Sequence, residues 1–203
     1  MSEWTTLASE EQLQKTMDAL KAKGFHVEVA ENGEEAKRIV LEVIPAGEQV
    51  FDSTSDTLAT TGIAKEIRES GRYKAAQEEI FALDHTTQGD EIRKIRSTPM
   101  WVVGSVHAIT EKGQLMIASG TGSQLASYAY GAGHVVYVVG TQKLVTDIDA
   151  GMERIYEHSL PLESERARKA YGVAGSNVSK VLIVNNDSPN RATVILVKEV
   201  LGY

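Results

Sequence analysis

The sequence predicts an α/β fold with a mainly parallel sheet flanked by helices and small antiparallel β additions. Strand and helix patterns alternate through the middle of the chain, as in a sheet wound by crossover helices. Val135 to Val139 is an unbroken apolar run rich in β-branched residues, as a strand covered on both faces requires. Turn signals at Lys112-Gly113 and at Asp187-Ser188-Pro189-Asn190 each separate two short apolar runs, which predicts paired-strand additions. The 203 residues are 42% hydrophobic and 24% charged, enough apolar material for a core. One domain over 1–203 is expected, with 1–48 as its N-terminal helix–strand–helix portion.

Element by element, Ser9 and Gln12 form a capping box, Leu13, Met17 and Leu20 repeat at helical spacing, and Gly24 stops the helix. Phe25 to Val29 alternates as a strand. Asn32 with Glu35 opens a second helix that ends before Pro45. Val50-Phe51 begins a strand, and Leu58, Ile63 and Ile67 mark a helical stretch up to Gly71. Residues 73–98 read as helices without sharp limits. Met100 to Val103, Val106 to Thr110 and Leu115 to Ala118 are strands. A helix is expected from Gln124 to about Tyr130, ended by Gly131 and Gly133. Asp147 caps a helix that should bury Ile148, Met152 and Ile155, and Pro161 to Tyr171 is a further helix. Val181 to Val184 and Thr193 to Val197 are strands around the Pro189 turn.

Composition narrows function. The net charge is −7, which argues against long-range attraction to nucleic acid or an anionic membrane. There is no cysteine, so this chain supplies no disulfide, zinc–thiolate site or iron–sulfur ligand. The first residues, Met1 to Ser9, lack the basic and apolar regions of a secretory signal. The longest apolar stretches are about six residues, short of a membrane span. A cytoplasmic protein is expected. The five histidines show no metal-ligand spacing, and neither a metal nor a cofactor is expected.

Three strand–loop junctions could carry chemistry. In Ser119-Gly120-Thr121-Gly122-Ser123, glycines permit close backbone approach and the helix start that follows offers unpaired N–H groups, a setting for phosphate or carboxylate. It is not a dinucleotide fingerprint, since Leu125 stands where a third glycine belongs, and no Gly-Lys-Ser/Thr makes it a P-loop. An ordinary strand–helix turn with a serine cap accounts for the same residues. The second junction, Asp52 to Thr57, offers Ser53, Ser55 and Thr57, and Asp56 or Ser55 equally suits a helix cap. The third is Gly140-Thr141-Gln142-Lys143, where Lys143 is either a point charge for an anion or a solvated loop lysine. Arg154 reads as a surface ion pair before a second cation. Asp56 and His107 are the candidate bases, although a hydrogen-bonded structural role also suits His107. No G-x-S-x-G elbow supports serine hydrolysis. Glu31-Asn32-Gly33 is similar to a short segment around the nucleophilic glutamate of coenzyme A transferases, but the cap role of Asn32 accounts for it.

Ser105 to Glu111, the Ser119–Ser123 loop and His134 to Val145 together resemble the LUD domain, the family of the lactate-utilisation protein C group. Glu153-Arg154-Ile155, Pro161-Leu162-Glu163 with Arg166, and Glu199 to Tyr203 extend the resemblance over most of the chain from Ser53 onward. It implies a Rossmann-like fold of the glucosamine-phosphate isomerase, ribose-phosphate isomerase and coenzyme A transferase group. It further implies a link to bacterial growth on lactate beside partners that carry iron–sulfur clusters. Some members carry a cysteine-rich C-terminal segment, which this sequence lacks. Two functions follow as expectations. One is binding of a small anionic metabolite (a hydroxy acid, sugar phosphate or coenzyme A-type ligand), with isomerase- or acyl-transferase-like chemistry if it is an enzyme. The other is a non-catalytic assembly or regulatory subunit of an iron–sulfur oxidase. A homo-oligomer is left open.

Overall fold

The computed structural model describes residues 3–203. Helix α1 (Glu10–Ala22) starts where Ser9 Oγ accepts the Gln12 N–H, and Gly24 turns the chain at φ 91° into β1 (His26–Ala30). Asn32 Oδ1 caps α2 (Gly33–Val43) by accepting the Glu35 N–H, and β2 (Gln49–Asp52) follows. The helical stretch after β2 is two helices, α3 (Asp56–Thr60) and α4 (Ile63–Glu69), because Gly62 adopts φ 70° between them. Next come β3 (Lys74–Ala75), α5 (Ala76–Phe81), α6 (Gly89–Ser97) and β4 (Trp101–Gly104).

The chain then builds β5 (Ala108–Thr110), β6 (Leu115–Ser119) and a π turn over Ser127–Gly131 before β7 (His134–Gly140). A short 3-10 turn leads to β8 (Leu144–Val145). Helix α7 (Ile148–Arg154), capped by Asp147 Oδ1, continues through a second π turn (Ile155–Ser159) into α8 (Leu160–Tyr171). Strands β9 (Lys180–Val184) and β10 (Ala192–Val197) close the order.

The main sheet has six strands in the order β1-β10-β7-β4-β2-β3, and every pairing is parallel. Strand β7 is interior and wholly buried after His134, as its unbroken apolar run predicts. Val135, Tyr137 and Val139 join the core under α1, α5 and α6, and Val136 and Val138 the one under α2, α3 and α4. Among the described residues no helix is long and apolar enough to cross a membrane.

The second sheet, β8-β5-β6-β9, is mixed. Its β5–β6 hairpin is the expected antiparallel addition, with Gly113 at φ 72°. The pair expected around Pro189 is a correction. The turn forms, with Arg191 N–H donating to the Ser188 carbonyl, but its strands part. Strand β9 pairs with β6 at the edge of the second sheet, while β10 lies between β1 and β7 in the main one. The reason is burial. Val194, Ile195, Leu196 and Val197 are all fully buried, so β10 needs cover on both faces, whereas β9 is only half-buried.

Candidate functional site

Strands β7, β4 and β2 are parallel neighbours, so the loops after their carboxyl ends emerge side by side. Open α/β sheets bind ligands at this edge. Here the edge opens into a cavity of about 440 Å³ whose walls include Ser53–Thr57, Ser105–His107, Ser119–Thr121, Lys143, and Glu163 and Arg166 of α8. The three junctions singled out in the sequence therefore meet at one cavity.

Lys143 is the most informative side chain there. It is 1% exposed, and its Nζ donates to Thr57 Oγ1 (3.1 Å) and Ser105 Oγ (3.2 Å). Leu144 and Val145, buried as β8 beside β5, draw the preceding lysine in with them. Burial, then repulsion from Arg154, lowers its amine from the ordinary 10.5 to about 7, with the Asp56 carboxylate partly opposing.

Arg154 corrects the sequence reading. It is fully buried, and Nη1 donates to the His107 carbonyl (2.7 Å) and to Ser159 Oγ (3.1 Å). Among the described residues its Nε and Nη2 have no hydrogen-bond partner. Burial lowers its guanidinium to about 10, so it stays charged at neutral pH. The expected apolar stripe of α7 holds in part. Ile155 is fully buried, Ile148 and Met152 are half-buried, and Gly151 and Arg154 also face inward. A side chain at Gly151 would strike Met116 Sδ, so glycine lets α7 lie close against the second sheet.

His107 lines the cavity, but it is not placed as a base. Its Nδ1 accepts the Ala118 N–H (3.1 Å), so the neutral ring carries its proton on Nε2, which has no hydrogen-bond partner among the described residues. Burial, then Lys143 and Arg154, lowers its pKa to about 3, and the ring offers a donor at neutral pH. Asp56, the other candidate base, is an exposed residue at the start of α3 that also lines the cavity.

The hydroxyl residues divide. Ser53 is buried and shares a 2.6 Å hydrogen bond with the Tyr128 hydroxyl. Ser55 is the cap of α3, its Oγ accepting the Leu58 N–H at 3.4 Å, and it also lines the cavity. Thr57 Oγ1 donates to the Leu201 carbonyl (3.2 Å) and accepts from Lys143.

The Ser119–Ser123 loop is at the cavity, but largely self-satisfied. Ser119 Oγ accepts the Gly122 N–H (2.8 Å), Thr121 Oγ1 accepts the Ser123 N–H (3.2 Å), and both serine hydroxyls donate to Gln124 Oε1. Gly122, at φ 85°, shapes the turn and is not on the wall, while Gly120 is. The expected helix start is also weaker than the sequence suggests. Only Leu125 and Ala126 are α-helical before the chain widens into the π turn. The N–H groups and dipole offered to an anion shrink accordingly.

Sequence reasoning left out further wall residues. Glu163 takes a bidentate pair from Arg166 (2.7 Å to each oxygen) and the Tyr203 hydroxyl (2.6 Å). Burial pushes its carboxyl up, and Arg166 and Tyr203 more than offset that. Arg96, near the end of α6, lines the cavity with a buried, unpartnered Nε, and burial alone lowers its pKa. Its spacing in the sequence is that of a solvated helix, which hides it.

Comparisons agree with this architecture. A crystal structure of a DUF162 family protein from Deinococcus radiodurans is similar over 95% of this chain and 99% of that one, at 12% identity and a TM-score of 0.58. That likeness bears on the fold alone. A ribose 5 phosphate isomerase A from Neisseria gonorrhoeae is similar at 13% identity over 59% of this chain and 57% of that one, with a TM-score of 0.33, too slight to carry an argument. No curated protein matches the sequence. The LUD domain model matches residues 13–197, nearly the whole chain, and the chain belongs to the LUD domain family.

Proposed function

We propose that this LUD-domain protein binds a small anionic metabolite in the cavity at the carboxyl edge of its main sheet. One observation carries the reading. Lys143, Arg154 and Arg96 line or underlie the cavity, and among the described residues none has a carboxylate within 4.0 Å. Burying a charge without a counter-ion is costly, and a bound carboxylate or phosphate supplies the missing partner. Thr57, Ser105 and the His107 Nε2–H complete a set of polar groups able to orient it. The volume of about 440 Å³ exceeds what a three-carbon hydroxy acid fills and falls in the range of metabolite sites. Sugar phosphates and coenzyme A-type ligands therefore stand beside lactate as candidates.

The test is titration calorimetry and thermal shift with lactate, sugar phosphates and coenzyme A esters, on the wild type and on Arg154→Met. Saturable binding that raises Tm and weakens in the variant is expected. A ligand at a hundred times its Kd stabilises by about 2.7 kcal/mol, which a melting curve resolves. Silence from every compound in the set would refute the reading.

A further inference from the structure

Lys143 differs from a lysine placed simply to hold a charge. An anion-holding lysine is kept protonated by a nearby acid, yet the charged group that acts most strongly on this one is Arg154, and the opposing Asp56 has the smaller influence. The hydrogen bonds give more detail. Ser105 Oγ donates to the Val106 carbonyl (3.5 Å), and Thr57 Oγ1 donates to the Leu201 carbonyl (3.2 Å) or to Ser105 Oγ (3.3 Å). With their protons so engaged, both hydroxyls act as acceptors toward Nζ. A neutral amine has two N–H donors and one lone pair, and Thr57 and Ser105 account for both donors. The lone pair is then left at a cavity wall shared with His107.

From this arrangement we infer that Lys143 is a nucleophile that forms an imine with a small 2-oxo acid. The inference rests on the proposed anion site and gives Lys143 a second role there, with Arg154 and the His107 Nε2–H attracting the carboxylate beside the carbonyl. The Nζ lone pair adds to the carbonyl carbon, and a proton passes from nitrogen to the carbonyl oxygen, giving a carbinolamine. Loss of water leaves the imine, which no oxidant or reductant is needed to reach. Desolvation beside a second cation is a recognised way to activate a lysine for this addition.

The experiment is reductive trapping. The full chain is incubated with pyruvate, 2-oxobutyrate or 2-oxoglutarate and treated with borohydride, and the adduct is located by peptide mass spectrometry. The expected result is a single stable adduct at Lys143, absent in Lys143→Arg and Lys143→Met. A neutral fraction of about one half at pH 7 is roughly a thousand times that of an ordinary lysine. Trapping should therefore level off just above pH 7, whereas adducts on surface lysines keep rising toward pH 10. That profile is read on the wild type and needs no variant to fold. No adduct from any of the three acids, or adducts spread over surface lysines with the steep profile, would overturn the inference. Calorimetric binding without an adduct would overturn it alone and leave the anion site standing, while absence of any anion binding would remove both.

Discussion

Replacing Lys143 with methionine should stabilise the ligand-free protein while removing the proposed imine chemistry. In the unfolded chain this amine titrates near 10.5, and in the folded chain near 7. Folding therefore expels a proton at any pH between those values. The sign follows directly. Above 10.5 both states are neutral and there is no penalty. As pH falls, the unfolded state gains the proton first and is favoured, until the folded state also protonates below about 7. The penalty amounts to about 4 kcal/mol at pH 7 and about 2 kcal/mol at pH 9. Methionine carries none of it and nearly fills the space, at the loss of hydrogen bonds to Thr57 and Ser105 worth roughly 1 kcal/mol each. A net gain of roughly 2 kcal/mol at pH 7, or about 4–8 °C in Tm for a chain of this size, is expected. By pH 9 the gain should be close to zero. Urea unfolding of both proteins between pH 6 and 9 measures the gap. Parallel stability curves, or a variant less stable than wild type at pH 7, would refute the claim that Lys143 is buried without a counter-ion.

Three other perturbations test the surrounding structure. Asp52 is fully buried, its pKa is raised by burial against the opposing effect of Arg68, and the Arg68 guanidinium at 2.5 Å is its one ion-pair partner among the described residues. Arg68→Met should cost roughly 3–5 kcal/mol at pH 7. The gap to wild type should narrow as the pH falls and Asp52 protonates, measured by paired denaturation curves. A Cβ at Gly104 would fall on the Tyr128 hydroxyl and 2.5 Å from Ser53 Oγ. Gly104→Ala should therefore lose roughly 1–3 kcal/mol, and adding Tyr128→Phe should recover part of that in a double-mutant cycle. Arg96→Gln should weaken ligands with two anionic groups about tenfold or more and leave single-anion ligands unchanged, because neither Lys143 nor Arg154 perturbs Arg96. Calorimetry with a sugar bisphosphate against lactate reads the difference.

What the sequence revealed, and what it hid, follows from the range of the interactions. Helix caps are local, so Ser9, Asn32 and Asp147 could be identified from spacing alone, and Ser55 as one of two choices beside Asp56, and each of the four side chains accepts a backbone N–H at its helix start. The meeting of the β2 and β7 junctions follows from parallel topology, which the apolar run at Val135–Val139 signals, whereas the Ser119–Ser123 loop follows β6 and reaches the cavity from the mixed second sheet. The partner sheet of a strand is not local. The Pro189 turn is real, but only the two-sided burial of β10 decides that it joins two sheets. Lys143 and Arg154 were hidden for a similar reason. A lysine after a strand and an arginine on a helix carry no mark of burial, and what buries them is β8 pairing with β5 and the close approach allowed by Gly151. In the Ser119–Ser123 loop, a run of hydroxyls and glycines does not show that the Gly122 and Ser123 N–H groups bond within the loop.

Two arginines in this chain separate structural from functional burial. Arg191 is held by Asp187 at 2.7 Å and donates to the carbonyls of Ser127, Tyr128 and Ala132, so its charge is paired and its donors are used. Arg154 is buried more completely, yet among the described residues it has no carboxylate, uses one nitrogen, and leaves two without partners. Buried polar groups are nearly always satisfied, and an unsatisfied one needs a reason. Packing does not supply it, since an apolar residue of similar size would fill the space at less cost. The same chain shows at Arg191 how a guanidinium is satisfied when its role is structural. The unpaired donors of Arg154, directly behind His107 and repelling the Lys143 amine, therefore support a site tuned for an anion that arrives from outside the fold.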